Sequence, residues 1–252
     1  MNIWQKCGGE SNFTSVSAIA WRFVEAQGTI STRKLVDSLD EQILLEQMIE
    51  AVKPPIPKDC IGLHPLLYTP FRYPPLPYGS RFGKKYERSL WYGSEKITTA
   101  MAEVAYYRLL MIHGSEANFG IVTIPFTAFS IQIKTTRGIK LTEQPFSAYK
   151  ETILSPNLYT ASQELGSLMR AAETEAIIYE SARDPEQGTN VALFSPLSFY
   201  NKQPKAQSLQ SWTGVIDPTE VDFISTSSIE INAVKFKLEM FLVNNELPVP
   251  AF

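Results

Sequence analysis

Apolar and polar positions alternate with both helical and strand periods along this chain. From Thr14 to Gln27 the apolar residues Val16, Ile19, Ala20, Phe23 and Val24 recur at helical spacing, and Gly28 is a natural stop. Ser31 or Thr32 then caps a second helix running to about Val52, with Leu35, Val36, Leu39, Ile43, Leu44, Met48 and Ile49 along one stripe. Together they predict an antiparallel helical hairpin behind a frayed lead of residues 1–12. Lys53-Pro54-Pro55-Ile56-Pro57 ends it, because consecutive prolines cannot continue a helix. This divides the chain into a hairpin extension, 1–57, and a main domain, 58–252. The hairpin either packs on that domain or offers a surface to another chain.

Past the prolines, Leu90-Trp91-Tyr92 reads as a short strand and Ser94 to Leu110 as a helix capped by Ser94. Residues 118–126 and 129–134 read as two strands broken at Pro125, with a turn at Arg137-Gly138. A short helix over 145–153 and a longer one over 159–172 precede buried strands at 176–179 and 190–194. Residues 213–216 and 221–224 read as edge strands around Asp217-Pro218, and 229–242 fits either period. Short strands and helices interleaved without regular alternation give an α+β class.

Composition narrows the functional classes. A net charge of −3 over 252 residues lacks the basic excess of a dedicated nucleic-acid binder. Two cysteines and two histidines provide neither a disulfide framework nor a zinc-spaced cluster. No apolar run reaches the ~18–20 residues of a membrane span. The start MNIWQKCGGESN has no signal-peptide core, so a soluble cytoplasmic protein is expected.

The richest chemistry lies between Phe71 and Arg108, where Arg72 and Arg81 sit among prolines, glycines and tyrosines. Tyr92 follows at a strand end and Glu103 on the next helix. Cations on a loop, an aromatic ring and an acid suit a phosphate-bearing ligand with a cationic ring. Tyr179-Glu180-Ser181-Ala182-Arg183 and the segment up to Asn190 supply the opposite wall.

These pieces resemble the RES-domain family, toxins of bacterial toxin–antitoxin pairs named for an Arg, a Glu and a Ser. The matching segments are Phe71-Arg72-Tyr73, Gly79-Ser80-Arg81-Phe82-Gly83, Trp91-Tyr92-Gly93-Ser94 and Thr99-Ala100-Met101-Ala102-Glu103-Val104. Tyr179-Glu180-Ser181-Ala182-Arg183 and Gly188-Thr189-Asn190-Val191-Ala192-Leu193-Phe194 complete the order. The resemblance implies an ADP-ribosyltransferase-like mixed β core with flanking helices, here preceded by the helical hairpin. It implies an enzyme that degrades NAD by hydrolysis or phosphorolysis and is neutralised by an Xre-type antitoxin. NAD would then be a substrate, with inorganic phosphate a candidate co-substrate and no metal or prosthetic group required. A homodimer is compatible with this reading; direct nucleic-acid binding and membrane insertion are not expected.

On that reading, Arg72, Glu103 and Ser181 are the catalytic candidates, while Arg81, Tyr92, Tyr73 and Asn190 bind substrate. Glu103 would stabilise positive charge developing on the ribose as nicotinamide departs neutral. Either arginine could take the pyrophosphate, and the Tyr92 ring could meet the nicotinamide. Ser181 has no partnering His or Lys; its hydroxyl would bond nicotinamide or ribose, or orient Glu103. Two other readings use the same residues: a protein mono-ADP-ribosyltransferase, or a non-catalytic interaction module working through the hairpin.

Overall fold

Thr14–Glu25 is a strand, β1, and not the first arm of a helical hairpin. Val16, Ala18 and Ala20 face inward while Ser15, Ser17 and Ile19 face outward, the two-residue period of a sheet. The computed structural model describes residues 1–26, 32, 35–225 and 232–251. The predicted stop at Gly28 and cap at Ser31 lie outside them. The lead is ordered: α1, Ile3–Lys6, has an Asn2–Gln5 capping box and buries Trp4. Only one arm of the expected hairpin is helical. This is α2, Leu39–Val52, capped by Ser38, and Leu39, Ile43, Leu44, Met48 and Val52 are all exposed on it.

Helix α3, Pro65–Arg72, leads to strand β2, Trp91–Ser94, and helix α4, Ile97–His113. The two predicted strands around Pro125, and the turn after them, are one long strand, β3, Val122–Lys140. Pro125 has no N–H to donate, but its carbonyl still pairs across to the end of β1, accepting from Ala26 N at 2.9 Å. Gly138 lies inside β3, where a Cβ would sit 2.3 Å from Val16 Cγ2, so glycine serves close strand approach there and not a turn. Helices α5, Lys150–Ile153, and α6, Thr160–Ala171, precede β4, Ala176–Glu180, and β5, Thr189–Leu193. Strands β6, Gln210–Ile216, β7, Glu220–Ser225, and β8, Ala233–Lys237, follow.

The strands form one mixed sheet in the order β1-β2-β5-β4-β3-β6-β7-β8, and β1 also pairs with β3. That extra pairing runs antiparallel from Thr14↔Gly138 to Glu25↔Phe126 and joins β1, β2, β5, β4 and β3 into a closed circuit. The chain upstream of residue 57 is therefore built into the main sheet through β1. The class is α+β, as expected. Helix α4 is apolar on most sides because it lies between the sheet and the C-terminal segment, burying Met101, Ala105, Tyr106 and Leu109 with Phe126, Trp212, Phe223 and Phe241. No described helix is long and apolar enough to cross a membrane.

Candidate active site

Strand register assembles the site. Trp21 pairs with Ser94, Ser94 with Asn190, and Asn190 with Tyr179, so one row crosses β1, β2, β5 and β4. Beside this row lies a cavity of about 320 Å³ lined by Arg22, Arg81, Tyr92, Glu103, Tyr107 and Asn190, among others. Helix α4 closes one side. Thr99, Glu103 and Tyr107 stand four residues apart and share a helix face. Each ties α4 to the surrounding walls. Thr99 Oγ1 donates to Asp184 Oδ2 at 2.7 Å, and the Tyr107 hydroxyl bonds that of Tyr159.

Glu103 is held through a single oxygen. Ser181 Oγ donates to its Oε1 at 2.7 Å and Asn190 Nδ2 to the same atom at 2.6 Å. The Ser181 hydroxyl accepts from the N–H groups of Arg183 (3.1 Å) and Asp184 (2.9 Å), so its one proton is directed to Glu103. Ser94 Oγ donates to Asn190 Oδ1 at 2.6 Å, which turns the amide so that its NH2 faces the carboxylate. Ser94 and Asn190 are each only 2% exposed. Among the described residues no cation pairs with Glu103 and nothing donates to its Oε2. A fixed carboxylate with one oxygen committed and one free is suited to stabilising a cation that appears beside it.

Ser94 thus does not cap α4, whose N-cap is Lys96 without a side-chain bond. Ser181 and Asn190 both contact Glu103, and this makes them positioning groups for the carboxylate.

The arginines divide differently from the expectation. Arg72 ends α3 and turns away from the cavity; its guanidinium donates to Glu50 Oε1 at 2.9 Å and Pro54 O at 2.6 Å. Tyr73 beside it is exposed and also outside the cavity lining. Arg81 lines the cavity but is already engaged. It donates to Ser155 O (2.9 Å), Ile153 O (3.4 Å) and the Tyr159 hydroxyl (3.3 Å), and it lies 4.3 Å over the Tyr159 ring. Its loop is a tight turn: Ser80 N bonds Gly83 O at 2.8 Å, and Gly79 adopts a φ of +75.

The cation left over is Arg22, from β1. Its Nη1 is buried with no hydrogen-bond partner among the described residues, and its guanidinium stands 5.4 Å from the Trp91 ring centroid. Burial pulls its pKa down to about 10. A half-buried guanidinium that lines a cavity with one nitrogen unmatched is suited to receiving an anion. Tyr92 faces the same space, with its hydroxyl 2.8 Å from Ser80 Oγ and accepting from Phe82 N at 3.2 Å. Burial pushes that phenol up to about 12, so it stays neutral. Among the described residues no group of three or more His, Cys, Asp or Glu is gathered to hold a metal ion.

Arg22, Tyr107, Tyr159 and Ser94 were missed as site residues. Arg22 reads as a solvent-facing residue only if residues 14–27 are helical. The alternation Ser15-Val16-Ser17-Ala18 was the signal that they form a strand.

Fold and site thus define an α+β protein with an acid-centred cleft between a helix and a closed strand circuit. The RES domain family model matches residues 58–213, and the chain belongs to that family. The match begins after β1, so the strand that carries Arg22 lies outside it. No curated protein matches the chain.

Proposed function

We propose that this protein cleaves the nicotinamide–ribose bond of NAD. The observation that carries the reading is the Glu103 carboxylate, fixed through Oε1 by Ser181 and Asn190, in a cavity that also presents the unpartnered Arg22. When the C1′–N bond breaks, its electron pair moves to the pyridinium nitrogen and nicotinamide leaves neutral, so no general acid is needed. Positive charge then develops on the ribose, and the free oxygen of Glu103 stabilises it. Arg22 supplies the charge that holds phosphate, with the engaged Arg81 adding a positive field behind it. Tyr92 and Tyr107 offer aromatic faces to the cationic ring. Water or inorganic phosphate adds to C1′ and completes the exchange; water then releases a proton to solvent.

A toxin role under the control of an antitoxin belongs to the same proposal, and family membership supports it. The test is to incubate purified protein with NAD, with and without phosphate, and to resolve the products. Nicotinamide is expected in stoichiometric amount with ADP-ribose or its 1-phosphate. Label transferred to protein instead would make the enzyme an ADP-ribosyltransferase. No nicotinamide under any condition would end the proposal.

A further inference from the structure

The cavity of about 320 Å³ lies at the floor of the ~300–1,000 Å³ range for small-molecule sites, and a dinucleotide is a large member of that class. The polar groups lining it are largely bonded to one another. Ser80 pairs with Tyr92, Ser94 with Asn190, and Tyr107 with Tyr159, while Arg81 is taken up by backbone carbonyls and the Tyr159 hydroxyl. Three loose ends stand out among the described lining residues: the Tyr179 hydroxyl and the two charged ones, Arg22 Nη1 and Glu103 Oε2. One guanidinium matches one phosphate group, and one free carboxylate oxygen matches one ribosyl cation.

We propose that the site recognises a nicotinamide mononucleotide unit (one cationic base, one ribose, one phosphate). The adenosine half of NAD then lies outside this cavity and adds little to the transition state. This rests on the glycosidic-cleavage reading and specifies its substrate class: pyridinium ribonucleotides, with or without a second nucleotide. In the mononucleotide the same C1′–N bond breaks, nicotinamide leaves neutral, and water or phosphate takes its place at C1′.

The test compares kcat/KM for NAD, nicotinamide mononucleotide and phosphate-free nicotinamide riboside, using the wild-type chain and Arg22→Gln. Circular dichroism and thermal melting confirm that the variant is folded. The mononucleotide is expected within about tenfold of NAD, and the riboside well below both. Arg22→Gln is expected to lower both phosphate-bearing substrates about 10- to 100-fold, as for a lost charge-assisted hydrogen bond, with a much smaller loss for the riboside. NAD cleavage with the mononucleotide more than about 100-fold poorer would overturn this inference and leave glycosidic cleavage standing, since binding energy from the adenosine half would then be required. An equal loss on all three substrates would remove Arg22 from the phosphate. Absence of cleavage of every substrate would defeat the underlying reading as well.

Discussion

Replacing Asn190 by alanine removes the 2.6 Å bond from its Nδ2 to Glu103 Oε1 and leaves Ser94 Oγ without its acceptor. A hydrogen bond to a charged group contributes about 1.5–3 kcal/mol, so if it acts in the transition state kcat should fall about 10- to 150-fold. Ser94→Ala removes a neutral bond one step further away, worth about 0.5–1.5 kcal/mol, and should cost about 2- to 10-fold. KM should change little in either variant, because both side chains are already committed, Asn190 to Glu103 and Ser94 to Asn190. An unsatisfied buried partner costs about 1–3 kcal/mol, and for this chain length each kcal/mol moves Tm by about 2–4 °C. Nicotinamide release is therefore followed well below the melting transition, with initial rates over a range of NAD concentrations. A tenfold rise in KM at unchanged kcat would show that Asn190 touches substrate. Wild-type kcat in a folded Asn190→Ala would show that carboxylate placement does not limit the reaction.

Other outcomes follow from the same geometry. Arg72→Met should leave kcat/KM within about threefold, since Arg72 serves Glu50 and Pro54 on the protein surface; NAD cleavage assays measure this. Arg22→Met should raise stability by about 1 kcal/mol in thermal or urea unfolding while lowering activity, because it removes a half-buried charge whose Nη1 has no hydrogen-bond partner among the described residues. The sign agrees with the pKa: the folded chain holds that proton less tightly than the unfolded chain. The charge therefore opposes folding throughout the range below about pH 10, and the penalty lifts only above it. Gly166→Ala should destabilise by about 1–3 kcal/mol and disturb the Arg81 turn, because the new Cβ would lie 2.0 Å from the Phe82 carbonyl oxygen; calorimetry reads the Tm loss.

Much of the cleft was legible because its residues lie in short segments with strong local signals. Strand β5 and the end of β4 are apolar and β-branched, and α4 has a run of good helix formers, so Ser181, Asn190 and Glu103 fell on the right elements. What could not be read was pairing across the sheet. The row from Trp21 to Tyr179 depends on three registers, and local sequence fixes none of them. The helix expected at 14–27 shows the other limit. Val16, Ile19, Ala20, Phe23 and Val24 satisfy the helical period, yet partnership with β3 at eleven matched positions overrides it. With β1 misassigned, Arg22 had no route into the site, and Arg72 took a role that its contacts with Glu50 and Pro54 do not support.

The central claim concerns one carboxylate, and single-turnover nicotinamide release by Glu103→Gln addresses it most directly. The amide keeps the size and can still bond Ser181 and Asn190 while removing the charge. With the protein shown to be folded and NAD binding retained, the rate should fall at least about 100-fold, the scale of one preorganised electrostatic contact. A Glu103→Gln protein that releases nicotinamide at the wild-type rate would contradict the account.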